Sequence, residues 1–297
     1  MKTPIEYVPA KSIVARTKSD EWFGAEYNMN IYRGCNHGCI YCDSRSACYR
    51  IEDFDKVRVK ANALAIIRAD LERKRRKGVI ATGAMSDPYN PLERELELTR
   101  GALALAERFR FGLAVATKSD LVARDVDLLC AIQRHAPVIV KFTVTTHDDA
   151  LAGRIEPAAP SSTRRLQALC ALAGRGIFTG VLLMPVLPFI TDSPGNLAGV
   201  VKAAAVHGAR FVYPWLGMTL REGQREHYYR ELAALSPDMA ERYKRRYGDR
   251  YDCAVPGARD LWLLLKAECD RLGLLCEMRD IIDAYQSGYG TKQLRLF

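Results

Sequence analysis

Four of the nine cysteines in this 297-residue chain, Cys35, Cys39, Cys42 and Cys48, fall in one short stretch. The segment Cys35-Asn36-His37-Gly38-Cys39-Ile40-Tyr41-Cys42 has the spacing C-x3-C-x2-C. Three thiolates so spaced can wrap one face of a cubane cluster, and Gly34 and Gly38 let the backbone turn sharply and approach the inorganic core without Cβ clashes. A [4Fe–4S] cluster ordinarily takes four cysteines. A triplet leaves one iron open to an exchangeable ligand, the same logic that separates catalytic from structural zinc sites. The other arrangement is a closed site, with Cys48 as a fourth ligand to zinc or to a cluster. A zinc ribbon would pair two C-x2-C knuckles, and Cys253, Cys269 and Cys276 are too widely spaced to supply the second. Cys48, Cys130 and Cys170 read most simply as core residues, Cys48 also being close enough to the loop to serve the substrate side. His37 inside the loop reads as a loop contact, with metal binding the alternative.

The elements that must position this loop show in the alternation of apolar, β-rich runs with helical patterns. Strands are expected at 28–32, 79–85, 112–118, 138–146, 177–187 and 210–214, and helices at 61–77, 91–108, 123–135, 162–175 and 194–207. Such alternation predicts right-handed βα units and an α/β fold, a partial (β/α)6 TIM-like barrel of parallel strands. Active groups then sit at the C-terminal ends of the strands. Beyond Gly217 the pattern turns helical, at 222–235, 237–247 and 256–272, separated by Pro and Gly. The expected organisation is a barrel domain over 1–217 and a helical C-terminal extension over 218–297, packed on one end of the barrel. In the fourth strand Val140, Phe142 and Val144 alternate with Lys141, Thr143 and Thr145, so one face is polar. With helices outside, the polar set faces inward and suggests a ligand cavity.

With an aromatic residue, Tyr41, just before its last cysteine, the triplet resembles that of the radical S-adenosylmethionine (SAM) superfamily. More narrowly, the chain resembles the spore photoproduct lyase-related, DNA repair photolyase-like branch, over roughly residues 25 to 215. The supporting segments are Tyr32-Arg33-Gly34-Cys35, Met85-Ser86-Asp87-Pro88, Ala116-Thr117-Lys118-Ser119 and Lys141-Phe142-Thr143-Val144-Thr145. The resemblance implies that Cys35, Cys39 and Cys42 hold a [4Fe–4S] cluster whose open iron binds SAM. It also implies a low-potential electron donor of the flavodoxin or ferredoxin type, reductive cleavage of SAM and hydrogen abstraction from a substrate by a 5′-deoxyadenosyl radical. Gly83 and Ala84 would let the amino acid moiety of SAM pack against backbone. Ser86 and Asp87 offer a hydroxyl and a carboxylate, or a turn and helix cap. Lys118 would pair with the SAM carboxylate, Thr143 or Thr145 would lie near its ribose or carboxylate, and Met184 would form an apolar wall for adenine. Glu156 and Arg165 would add to this site or form a surface ion pair. At the position where the spore lyases carry a cysteine hydrogen donor, two residues before the Ser-Asp pair, this chain has Ala84. That departure argues against thymine-dimer repair of the spore lyase type, unless Cys48 or a tyrosine substitutes.

Composition frames the rest. The hydrophobic fraction is 48%, the charged fraction 27% and the net charge +9, which excludes a disordered or collagen-like chain. No secretory signal pattern opens the sequence, and the most apolar stretch, 177–190, is too short to span a bilayer. A cytoplasmic, membrane-free protein with reduced thiols is expected. Basic residues at Arg68 and Arg73–Lys77, and at Arg242–Arg250 interleaved with Tyr243, Tyr247 and Tyr251, make nucleic acid a candidate substrate. The same features equally suit solvated helix ends. The second reading of the chain is a non-catalytic zinc- or iron-sulfur-containing nucleic-acid-binding protein.

Overall fold

A computed structural model describes residues 5–289. Residues 1–4 and 290–297, the outer ends of the two expected domains, lie outside the described residues. The chain begins with β1 (Tyr7–Val8), β2 (Val14–Arg16), β3 (Tyr27–Met29), β4 (Tyr32–Arg33) and β5 (Arg58–Lys60). There follow α1 (Ala63–Glu72), β6 (Val79–Thr82), α2 (Glu93–Leu96), α3 (Leu98–Arg108), β7 (Gly112–Thr117), α4 (Val126–Gln133) and β8 (Val138–Thr143). Next come α5 (Asp149–Ile155), α6 (Ser162–Ala173), β9 (Phe178–Leu183), α7 (Pro194–Val206) and β10 (Phe211–Pro214). The last elements are β11 (Gly217–Thr219), α8 (Gln224–Leu235), α9 (Pro237–Tyr247), β12 (Asp252–Ala254), α10 (Ala258–Leu272) and α11 (Met278–Gln286).

Strands β3, β6, β7, β8, β9 and β10 stand side by side in chain order, all parallel, and β2 adds an antiparallel edge. This is the expected partial barrel, open between β10 and the β2–β3 edge. Side chains alternate across it as the pleat requires. Ile80, Val115, Val140, Phe142, Leu183 and Val212 face the helices and join Ile67, Leu103, Leu169 and Val200 in the outer core. The inward set, Ala81, Ala114, Ile139, Leu182 and Phe211, meets Phe23, Ile281 and Tyr285. The apolar-out, polar-in reading of β8 therefore holds, but the cavity it suggested is confined to the upper end. Below Thr143 the lumen is packed by α11 and by the loop joining β2 to β3, neither of which the sequence pattern placed there.

Two expected elements divide. The first strand splits into β3, in the main sheet, and β4, which pairs antiparallel with β5 in a small separate sheet. The apolar rhythm runs through both because Met29, Ile31 and Tyr32 are all buried, while the ladder partner changes. The helix over 91–108 breaks at Glu97, which adopts a left-handed backbone (φ 48). The buried Glu93 carboxylate accepts the N–H groups of Thr99 and Arg100 at 2.9 and 3.2 Å, so the start of α3 is satisfied by an acid, as a helix N-terminus favours. The second strand ends at Thr82 because Gly83 turns to φ +98, and a Cβ there would lie 1.9 Å from the Ala116 carbonyl oxygen. Only glycine fits that crossing.

Candidate active site

The cysteine loop leaves β4 through Gly34, whose φ is +83. A Cβ at Gly34 would lie 2.6 Å from the Phe54 carbonyl oxygen and at Gly38 3.1 Å from Pro157 Cγ. Both glycines take the sharp turn expected of them, at φ +83 and +70, and a Cβ at either would press on a neighbouring protein segment. The loop is held from several sides: Cys35 N–H donates to Phe54 O (2.9 Å), Ile40 N–H to Ile155 O (3.0 Å) and Ala158 N–H to His37 O (3.0 Å). Gln224, the first residue of α8, donates from Nε2 to Tyr41 O at 3.0 Å, so the C-terminal segment packs directly on the back of the loop.

Cys35, Cys39 and Cys42 line one open pocket of about 490 Å³, together with the C-terminal ends of β6, β7 and β8. All three are free thiols. Burial and the Asp87 carboxylate push Cys35 up to about 12, and burial likewise raises Cys39 and Cys42. Asp87 faces Cys35 and Glu156 faces Cys39, while Lys118 beside Cys39 and Cys42 acts the other way without outweighing burial. A bound metal centre would supply the further positive charge that favours thiolates. No three Cys, His, Asp or Glu side chains among the described residues converge on a single metal ion.

Gly83, Ala84, Ser86, Asp87, Lys118 and Thr143 line the same pocket. Ser86 donates its hydroxyl hydrogen to Gly34 O, tying β6 to the cysteine loop. Asp87 accepts from Thr117 Oγ1 (2.7 Å), Lys118 N–H (2.8 Å) and Tyr89 N–H (2.9 Å), and its Oδ2 lies 3.3 Å from His37 Nε2. Burial raises its pKa, but His37 and these donors outweigh that and bring it down to about 2. Asp87 is thus a fully occupied carboxylate joining two strand ends and the loop. Lys118 places Nζ 5.5 Å from the Tyr41 ring centroid. Burial alone would lower its pKa, and the facing Cys39 and Glu156 more than offset this, leaving it cationic.

Three expected contacts lie outside the pocket. Tyr41 is buried behind the loop and donates its hydroxyl hydrogen to Glu156 Oε1. Thr145 is buried on the same carboxylate, with Oγ1 3.5 Å from Glu156 Oε1. Met184 is half-buried against the inner core. The placement of Glu156 and Arg165 corrects the surface reading: their ion pair, at 2.5 Å, is fully buried, and Arg165 Nη1 also donates to Thr143 O at 2.9 Å. The signal was present in α6, where Ser162, Arg165, Leu166, Leu169 and Leu172 form one buried stripe. Cys48 and Cys170 are exposed and Cys130 is half-buried, so none of the three is a core residue as first read. Cys48 Sγ faces Arg221 outside the pocket. Tyr243 and Tyr247 are buried and cannot stack bases, and Lys74 and Lys77 rest on the Tyr27 and Phe111 rings. No helix among the described residues is long and apolar enough to cross a membrane.

Comparison with known proteins places this geometry. A family profile described as "Radical SAM superfamily" matches residues 29–198, more than half of the chain. An uncharacterized protein of Mycobacterium tuberculosis strain H37Rv is 32% identical over 228 residues, 74% of this chain and 67% of its own. One from Methanocaldococcus jannaschii is 34% identical over 194 residues, 64% of this chain and 71% of its own. Among solved structures, spore photoproduct lyase complexed with dinucleoside spore photoproduct superposes with a TM-score of 0.67 at 15% identity, covering 90% of this chain and 80% of that one. The radical SAM methyltransferase TsrM of Kitasatospora setae, with cobalamin and a [4Fe-4S] cluster bound, gives 0.56 at 15% identity, covering 86% and 56%. The fold is therefore that of spore photoproduct lyase. On the extent of the profile match, this chain belongs to the radical SAM superfamily and is a radical SAM enzyme.

Proposed function

We propose that Cys35, Cys39 and Cys42 hold the [4Fe–4S] cluster that the family implies, and that SAM occupies the pocket they share with the ends of β6, β7 and β8. The observation that carries this reading is the convergence of three free thiols and a buried-side lysine on one pocket. Held there, such a cluster would supply the electron for reductive cleavage of SAM, and with it the radical chemistry that removes a hydrogen atom from a substrate. The protein contributes position and exclusion of water. Gly83 presents bare backbone to the pocket and Ala84 a small side chain. Lys118 supplies a cation for the SAM carboxylate, Thr143 a hydroxyl, and Ser86 and Asp87 hold the loop and strand ends in register. Met184 stands toward the lumen as an apolar wall. A low-potential donor of the flavodoxin or ferredoxin type is the proposed electron source.

Anaerobic reconstitution with iron and sulfide, followed by dithionite and SAM, should yield 5′-deoxyadenosine. A protein that takes up iron and sulfide yet forms none would overturn the reading. Within it, Lys118→Met should raise KM for SAM about 10- to 100-fold, the loss expected for one charge-assisted contact, with kcat less affected. Lys118→Arg should recover part of the loss. An unchanged KM in Lys118→Met would remove the lysine from the SAM site.

A further inference from the structure

The cysteine loop carries one side chain to which the SAM pocket has so far given no task. His37 lies midway between Cys35 and Cys39, is 3% exposed and lines the same pocket as the three thiols. Its backbone is fixed on both sides. The carbonyl accepts Ala158 N–H at 3.0 Å, and the N–H groups of His37 and Asp87 both face the Cys35 sulfur.

The two ring nitrogens stand in different surroundings. Nε2 lies 3.3 Å from Asp87 Oδ2, within reach of a charge-assisted contact although off the line of a hydrogen bond. Asp87 is itself held by Thr117 Oγ1 and by the N–H groups of Lys118 and Tyr89. An imidazole beside a carboxylate turns an N–H toward it, which puts the proton on Nε2 and leaves a lone pair on Nδ1. Nδ1 is buried and has no hydrogen-bond partner among the described residues. A histidine kept only to pack the loop would have that nitrogen satisfied, because a bare buried polar atom is costly.

One nitrogen on a carboxylate and the other bare is the arrangement of a metal-binding histidine with its supporting acid. Imidazole nitrogen is also a known ligand of iron in iron–sulfur centres, where it replaces cysteine. The iron that three cysteines leave open is a metal position still lacking a protein ligand. We propose that His37 Nδ1 is an exchangeable fourth ligand to that iron, bound while SAM is absent and displaced when SAM enters, with Asp87 holding Nε2–H throughout. Exchange breaks one iron–nitrogen bond and forms the iron–SAM bonds. The ammonium proton of SAM passes to solvent, and no oxidation state changes. The assignment rests on the cluster reading of the cysteine triplet.

Pulsed electron paramagnetic resonance of protein carrying 15N-labelled histidine, reconstituted with iron and sulfide and reduced with dithionite, tests it. Without SAM the reduced cluster should show a 15N coupling of the strength a directly bound nitrogen gives. Unlabelled SAM should abolish it. The chain has five histidines, so His37→Gln, which keeps an N–H for Asp87, identifies the source. That variant should take up iron and sulfide and show no 15N coupling. A wild type with no coupling, or with only the weak coupling of a nearby ring, would overturn the proposal. So would a coupling that survives either SAM or the substitution. Iron uptake and the response to SAM separate the two readings. A wild type that takes up no iron and sulfide defeats the cluster reading, whereas a cluster whose signal SAM alters but which lacks the 15N coupling defeats only the His37 ligand.

Discussion

Cys42→Ala is expected to lose the cluster and with it at least about 1000-fold of 5′-deoxyadenosine formation, equivalent to ~4 kcal/mol at 1.36 kcal/mol per decade. Of the three thiols on the pocket, Cys42 is the one adjoining Tyr41, whose carbonyl is held by Gln224 and whose ring lies beside Lys118. The backbone turn there, Cys42 N–H to Cys39 O at 3.2 Å, does not involve the sulfur, so the apo-protein should keep its circular dichroism. Iron and sulfide content after reconstitution should fall together with activity. Cys48→Ala supplies the contrast, because Cys48 is exposed and outside the pocket. It should keep both iron and activity. A Cys42→Ala protein that retains full iron, or a Cys48→Ala protein that loses it, would assign the ligands differently.

Glu156→Leu is expected to destabilise the apo-protein by about 3–5 kcal/mol, because it leaves the Arg165 guanidinium buried without its partner. The carboxylate also accepts from the Tyr41 hydroxyl, so one substitution loosens β8, α6 and the cysteine loop together. Replacing both partners, Glu156→Leu with Arg165→Leu, should recover part of the loss, as expected for coupled neighbours. Denaturant unfolding of the four proteins measures this, and additive single effects would contradict the pairing. The network also sets an acid limit. Burial raises the Glu156 pKa, yet Arg165 and Lys118 more than offset it, leaving it below its ordinary 4.5. A carboxylate with a depressed folded pKa contributes stability that is complete above its unfolded value and lost as pH falls through the folded one. Asp87, ordinarily 3.8 and here about 2, adds about 2 kcal/mol lost over that same interval. Wild-type stability should therefore fall steeply between about pH 4.5 and 2, and Glu156→Leu should show a flatter acid limb.

The parts of the fold legible in the sequence are those governed by local periodicity. The β8 alternation is enough to orient Val140 and Phe142 toward the helices and Lys141 and Thr143 inward, because side chains in a strand must alternate. The cysteine spacing is local in the same sense. What escaped reading depends on contacts distant in sequence. Met29 and Tyr32 continue one apolar rhythm although they belong to different sheets, since burial does not reveal which strand supplies the hydrogen bonds. Segment 278–286 carries Ile281 and Tyr285 into the barrel, and nothing near it announces that destination. Ser86 and Asp87 sit in the pocket as expected, but their polar atoms are taken by Gly34, Thr117 and Lys118. Residue type alone offers them to a ligand; only the packed partners show that they hold the walls. Glu156 and Arg165 were within reach, because an arginine on the buried stripe of α6 requires an acid opposite it.

The most direct test of the account is the electron paramagnetic resonance spectrum of the reconstituted, dithionite-reduced protein, recorded with and without SAM. An iron corner left open by three cysteines should give a reduced-cluster signal that SAM visibly alters. Spectra that superimpose with and without SAM, or a protein that takes up one zinc ion and no iron, would contradict it.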